Sequence, residues 1–185
     1  MSKFEIHTID SAPARSTAAL GALQQGLGFV PNLAATMAES PALVCGFVDL
    51  RKTLADGELT GVEREIVALA TSIENDCDYC MAAHSTFALM QEADAGAVAA
   101  ARAGNAPDDA RLGALYRFAR ELVANRGHIG DSEVQALLDA GYSSGALLEV
   151  VAQVGFTTLA NLTHNISDAP LDDAFAAQAW ARAAA

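Results

Sequence analysis

Apolar residues recur along this chain at three- and four-residue spacing, and no window shows the strict alternation of a half-buried strand. After a short polar lead-in, the pattern predicts a helix over 13–27, ended by the glycine-rich run before Phe29-Val30-Pro31-Asn32. A short helix near 33–39 follows. Ser40-Pro41 opens the next, which carries Val44, Phe47, Val48 and Leu50 to about Leu54, where Asp56-Gly57 stops it. Thr60 with Glu63 three residues later has the form of a capping box, and Val62, Ile66, Leu69 and Ile73 mark one face of the helix behind it. Asn75-Asp76 interrupts, and a new helix is predicted from about Asp78 to Gln91. Others follow over 95–103, 108–125, 132–140 and from Ser143 or Ser144 to about Asn165, with a last helix from about Asp172 carrying Phe175 and Trp180. The expected architecture is all-α, a single domain over 1–185 built as a bundle of about eight helices on short turns, without a linker or a clear repeat.

Composition supports this reading and narrows the partners. About one residue in five is alanine, and 52% of the chain is apolar against 18% charged, which is far from the profile of a disordered chain. At 185 residues a single core is large enough to fold without a metal or disulfide staple. The net charge of -12, from 23 acidic and 11 basic residues, would repel a polyanion, so neither nucleic acid nor an anionic membrane surface is an expected partner. The N-terminus lacks the apolar segment of a signal peptide, and the runs 42–48 and 147–156 are far short of a membrane span. A soluble, cytoplasmic protein is expected. Three cysteines in such a compartment do not suggest a structural disulfide framework, so a pair that matters would be catalytic, redox-sensing or metal-binding.

One segment carries chemistry. Cys77 and Cys80 are separated by two residues, His84 follows after three more, and Glu65 stands twelve residues before Cys77. If Cys77 lies in the first turn of its helix, Cys77, Cys80 and His84 share one stripe within an arc of about 60°. Glu65 sits at the edge of its own helix's apolar face, so its carboxylate would point at the neighbouring helix and meet His84 there. A helix N-terminus, a CxxC partner and an imidazole each favour the thiolate, and a carboxylate behind the histidine would fix its tautomer. Thiolate attack on a peroxide gives a sulfenic acid, which a cysteine one turn away can condense with to form a disulfide. Two other origins for the pattern stay open. The cysteines could be small buried hydrophobes, or the two thiolates, imidazole and carboxylate could form a zinc shell. Covalent haem is excluded because Met81 follows Cys80, and an iron–sulfur cluster lacks a fourth thiolate.

With Thr60 and Arg64-Glu65 ahead of it, the pattern Glu65-x11-Cys77-x2-Cys80-x3-His84 resembles the alkyl hydroperoxidase D core of the carboxymuconolactone decarboxylase-like superfamily, in its peroxidase-related branch. The motif spans about Thr60 to Met90. A looser likeness runs from Phe156 to Phe175. The resemblance implies an antioxidant, peroxiredoxin-type alkyl hydroperoxidase that needs no cofactor. Cys80 would become the sulfenic acid, Cys77 the proton donor and resolving thiol, and Glu65 with His84 the proton relay. It also implies an organic hydroperoxide as substrate, a lipoylated or thioredoxin-like dithiol protein as reductant, and a homo-oligomer, trimer or hexamer. The chain departs from the pattern at Tyr79, where well-studied peroxidases of the family carry a histidine. Tyrosine titrates near pH 10, so the relay loses a group active near neutrality, although the phenol can still donate a hydrogen bond.

Other residues have plainer expectations. His164, in Asn161-Leu162-Thr163-His164, could replace the missing imidazole, but a histidine stabilising the end of its helix is the simpler reading. Cys45 reads as core, Phe87 as core or pocket lining, and His7 and His128 as surface or turn residues without a nameable partner. Arg64 is either solvated or paired across a subunit interface. Besides the peroxidase, the sequence admits a decarboxylase or lyase using Glu65 and His84 for acid–base chemistry. It also admits a non-enzymatic sensor in which oxidation of the dithiol alters assembly.

Overall fold

A computed structural model of the protein describes residues 3–181. These form nine α-helices: α1 (Thr17–Leu27), α2 (Asn32–Met37), α3 (Pro41–Ala55), α4 (Gly61–Glu74), α5 (Asp78–Met90), α6 (Ala95–Arg102), α7 (Ala110–Ala124), α8 (Asp131–Asp139) and α9 (Ser144–Ser167). A 3₁₀ helix, Asp173–Gln178, closes the order. No strand occurs among the described residues, in keeping with the all-α expectation.

The polar residues that read as start signals act as such. Thr60 Oγ1 accepts the Glu63 N–H and the Glu63 carboxylate accepts the Thr60 N–H, completing the capping box of α4. Ser40 and Ser143 cap α3 and α9 one-sidedly, each accepting a single N–H, and Asp94 and Asp109, which the pattern does not single out, do the same for α6 and α7. α4 is the axis of the fold. Ile66, Val67, Ala68, Leu69 and Ala70 are all fully buried because α5, α7 and α9 pack on different sides of it.

Two apolar clusters result. One joins α4 to α6–α9 through Ile66, Leu69, Leu115, Tyr116 and Val150. The other gathers Leu20, Met37, Val44, Cys77, Tyr79, Cys80 and Phe175 from α1, α2, α3, α5 and the C-terminal segment. Helix α5 contributes Met81 and Ala88 to the first and its cysteines to the second, so the chemistry sits on the element that bridges both.

The structure corrects several expectations. Helix α1 begins at Thr17 rather than 13, since buried Ser16 spends its hydroxyl on the Ala38 carbonyl at 2.7 Å and ties the preceding turn to α2. The last element is a 3₁₀ helix, and Trp180 lies beyond it, its indole N–H bonded to the Arg102 carbonyl at 3.1 Å. His7 is no surface residue: it is buried, with Nε2 2.7 Å from Glu39 Oε2. Helix α9, at 24 residues, is long and apolar enough to cross a membrane by length and composition, which its central apolar run alone had not suggested. Here it packs on α2, α3, α4, α5 and α7. Its opposite face exposes Leu148, Val151, Leu159, Leu162 and Ile166, a stripe at three- to four-residue spacing broken only at Gly155.

Candidate active site

Helices α4 and α5 run side by side, and this packing brings Glu65 to His84. Glu65 Oε2 lies 2.7 Å from His84 Nδ1, with both side chains largely buried. The second carboxylate oxygen accepts from Gln91 Nε2 at 3.3 Å. A carboxylate on Nδ1 places the neutral ring's proton there and leaves Nε2 as its acceptor nitrogen.

Cys77 is the N-cap of α5, with φ −105° and ψ 99°, and its sulfur accepts the Cys80 N–H at 3.4 Å. A thiol as N-cap places the sulfur at the positive end of the helix. The extended N-cap backbone also swings Cys77 off the stripe that helical spacing suggests. Cys80, His84 and Phe87 line a cavity of about 640 Å³, and Cys77 sits behind them. The cavity is walled by α1, α2, α3, α4, α9 and Phe175, and Phe87 serves as lining while meeting Phe175 edge to face. Arg64, anchored on the Leu59 carbonyl, also lines it.

The two thiols have opposite electrostatics. Cys77 is held down to about 6: the hydrogen bond from Cys80 contributes most, burial opposes it, and His164 adds to the lowering. Cys80 is pushed up, first by burial and then by the adjacent Cys77 thiolate. The pair therefore holds one proton near neutrality, and Cys80 is the one that carries it.

His164 stands closer to this chemistry than a helix-end role requires. Its Nε2 meets the Ala169 carbonyl at 3.2 Å, so that nitrogen carries the proton of the neutral ring. The buried Nδ1 has no conventional hydrogen-bond partner; it lies 3.5 Å from Asp78 Oδ1 and has the Cys77 thiol as its other polar neighbour. Burial would lower the imidazole pKa, but Cys77 and Asp78 outweigh it and raise it.

Tyr79, at the position where the resemblance expects histidine, points away from relay work. Its hydroxyl donates to Asp172 Oδ2 at 2.5 Å and accepts the Leu33 N–H at 3.4 Å, and its ring stacks on His164 at 5.2 Å. Burial and Asp172 push its ionisation far up, so it stays neutral. Asp172 also accepts the Asn32 N–H, binding the C-terminal segment to α2 and α5. Sequence reading missed Asp172, which has no neighbour in the chain to hint at its role. It also missed Asn161, which bonds to Ser72 Oγ at 3.1 Å and reaches Cys80 from α9. Cys45 is only partly buried, donates to the Arg15 carbonyl at 3.4 Å and does not line the cavity. Among the described residues no cluster of three or more His, Cys, Asp or Glu is arranged to hold a metal.

Comparison with known proteins agrees with this picture. Residues 38–121 match the carboxymuconolactone decarboxylase family. No curated protein sequence matches the chain. Among solved structures, the alkylhydroperoxidase AhpD core of a peroxidase-related protein from Ralstonia eutropha JMP134 is 25% identical, with a TM-score of 0.83 over 94% of each chain. A peroxidase-related protein from Silicibacter sp. TM1040 is 21% identical, with a TM-score of 0.77 over 96% of this chain and 98% of that one. The debrominase Bmp8, solved as a variant in complex with 2,3,4-tribromopyrrole, is 22% identical, with a TM-score of 0.76 over 96% of this chain and 97% of its own. The matched segment contains the whole Glu65, Cys77, Cys80 and His84 constellation, and the likeness to the alkylhydroperoxidase AhpD core carries the same helical fold over nearly the whole chain.

Proposed function

We propose that the chain is a thiol-dependent peroxidase acting on organic hydroperoxides. The observation that carries this reading is the division of labour in the dithiol: Cys80 lines the apolar cavity beside a carboxylate-oriented histidine, while the thiolate-prone Cys77 lies directly behind it. As a hydroperoxide enters, Cys80 passes its proton to the Cys77 thiolate and attacks the terminal peroxide oxygen. The O–O bond breaks, the alkoxide leaves as the alcohol on a proton that His84 Nε2 relays from solvent, and Cys80 becomes a sulfenic acid. Cys77, beside the His164 imidazolium, then gives its proton to the departing hydroxide as it attacks the Cys80 sulfur. The S–O bond breaks, hydroxide leaves as water on that proton, and the Cys77–Cys80 disulfide remains. A dithiol protein of lipoyl or thioredoxin type supplies the two electrons that reopen it. In this scheme His164 serves the resolving thiol, and Tyr79 holds it in place by stacking.

The apolar stripe on α9 supports assembly into a homo-oligomer, since a face of that length is repeated identically on a second copy.

The test is intact mass of the reduced protein before and after one equivalent of cumene hydroperoxide, with Cys77→Ser and Cys80→Ser alongside. The expected result is a loss of about two mass units in the wild type and a trapped sulfenic acid only in Cys77→Ser. An inert dithiol overturns the reading. The family match favours one alternative, acid–base decarboxylase or lyase chemistry by Glu65 and His84, which predicts that Cys80→Ser keeps its turnover.

A further inference from the structure

In a chain with 11 basic residues and a net charge of -12, three of the basic side chains, Arg51, Lys52 and Arg64, line one cavity. Arg51 and Lys52 are exposed on α3, and Arg64 is half-buried on α4. Among the described residues none of the three is in an ion pair, whereas Lys3, Arg111 and Arg120 each have a carboxylate. Asp49, on the same helix as Arg51 and Lys52, does not line the cavity. The one lining carboxylate, Glu65, is engaged by His84 and Gln91. The interior is apolar, walled by Leu23, Leu33, Phe47, Phe156 and Phe175. Phe47 and Phe156 stack at 4.4 Å and stiffen one side. A cleft with cations at its edge and low-dielectric walls focuses field onto an anion, even on a protein that repels anions elsewhere.

We propose that this cavity takes an anionic amphiphile, its apolar body among the aromatic and leucine side chains near Cys80 and its carboxylate against Arg51, Lys52 and Arg64. Resting on the peroxidase reading, this narrows the substrate to hydroperoxides of medium- or long-chain carboxylic acids, over compact neutral hydroperoxides. A volume of about 640 Å³ is within the range that encloses such a molecule. Three partly solvated charge pairs together give roughly a tenfold preference for the acid over its uncharged counterpart. That preference shrinks with added salt, because the cations are at the surface.

Two measurements test this. Calorimetric binding of decanoate and of decanol to the reduced protein requires no turnover. Kinetics with linoleic acid hydroperoxide and its methyl ester report on the reaction. Decanoate should bind roughly tenfold tighter than decanol at low salt, and the gap should close in high salt. The acid-to-ester ratio in kcat/KM should match it, and in Arg51→Gln/Lys52→Gln/Arg64→Gln both ratios should fall to about one. Equal binding of decanoate and decanol, or a wild-type ratio indifferent to salt, overturns the proposal without need of any variant. Turnover of both hydroperoxides without acid preference overturns it and leaves the peroxidase standing. Decanoate preference in a protein inert to every hydroperoxide sustains the anionic site and removes the peroxidase.

Discussion

Replacing His164 with glutamine tests the electrostatics of the dithiol most directly. In the wild type the pair ionises with Cys77 near 6, because Cys80 donates to its sulfur and His164 stands beside it. Glutamine keeps a side-chain N–H for the Ala169 carbonyl but removes the imidazolium. A hydrogen bond to a charged group contributes about 1.5–3 kcal/mol. At 1.36 kcal/mol per unit, its loss moves the ionisation up by about one to two units. Since the reactive form is the deprotonated one, about 90% of wild-type molecules carry the thiolate at pH 7, against about 10–50% of the variant. The single-turnover rate with cumene hydroperoxide at pH 7 should then fall about two- to tenfold and recover near pH 9. Ultraviolet thiolate absorbance, titrated in parallel, should show the same displacement. A wild-type midpoint near 8.5, the value of an ordinary thiol, would refute the reasoning, as would an unmoved midpoint in the variant.

Three further outcomes are expected. Glu65→Gln keeps the shape of the α4–α5 contact but removes the charge that orients and supports His84; the single-turnover rate should drop by about 10²–10⁴, and a loss below threefold would show that this pair takes no part. Tyr79→Phe leaves buried Asp172 without its phenolic donor and should cost about 1–3 kcal/mol in urea unfolding, with an unchanged midpoint counting against the C-terminal anchor. Leu159→Arg with Leu162→Glu should reduce the particle mass by light scattering if the α9 stripe joins copies, and a wild type that already runs as a monomer would end that idea.

Much of the molecule was legible in the chain, for local reasons. Helix boundaries follow from caps that satisfy N–H groups within three residues, which is why Ser40, Thr60 and Ser143 mark their helices so well. The Glu65–His84 contact was legible too, because the carboxylate lies at the edge of an apolar face that must pack on the next helix, leaving its direction little choice. The spacing of Cys77, Cys80 and His84 fixed the candidate chemistry, since three and seven residues are nearly whole turns.

Tertiary structure decided the rest. An N-cap has extended backbone, so Cys77 left the helical stripe and only Cys80 came to line the cavity, a difference that residue spacing cannot express. Asp172 meets Tyr79 across 93 residues of sequence, and His164 meets Cys77 across 87, contacts that depend on how α9 folds back over α5. The same return brings Arg51, Lys52 and Arg64 to one cavity, although their neighbours in sequence make the region look like ordinary solvated helix. Local hydrogen bonding and periodicity are short-ranged and can be read from the chain. Ionisation, burial and the gathering of like charges depend on what long-range packing excludes from water, and so belong to the fold.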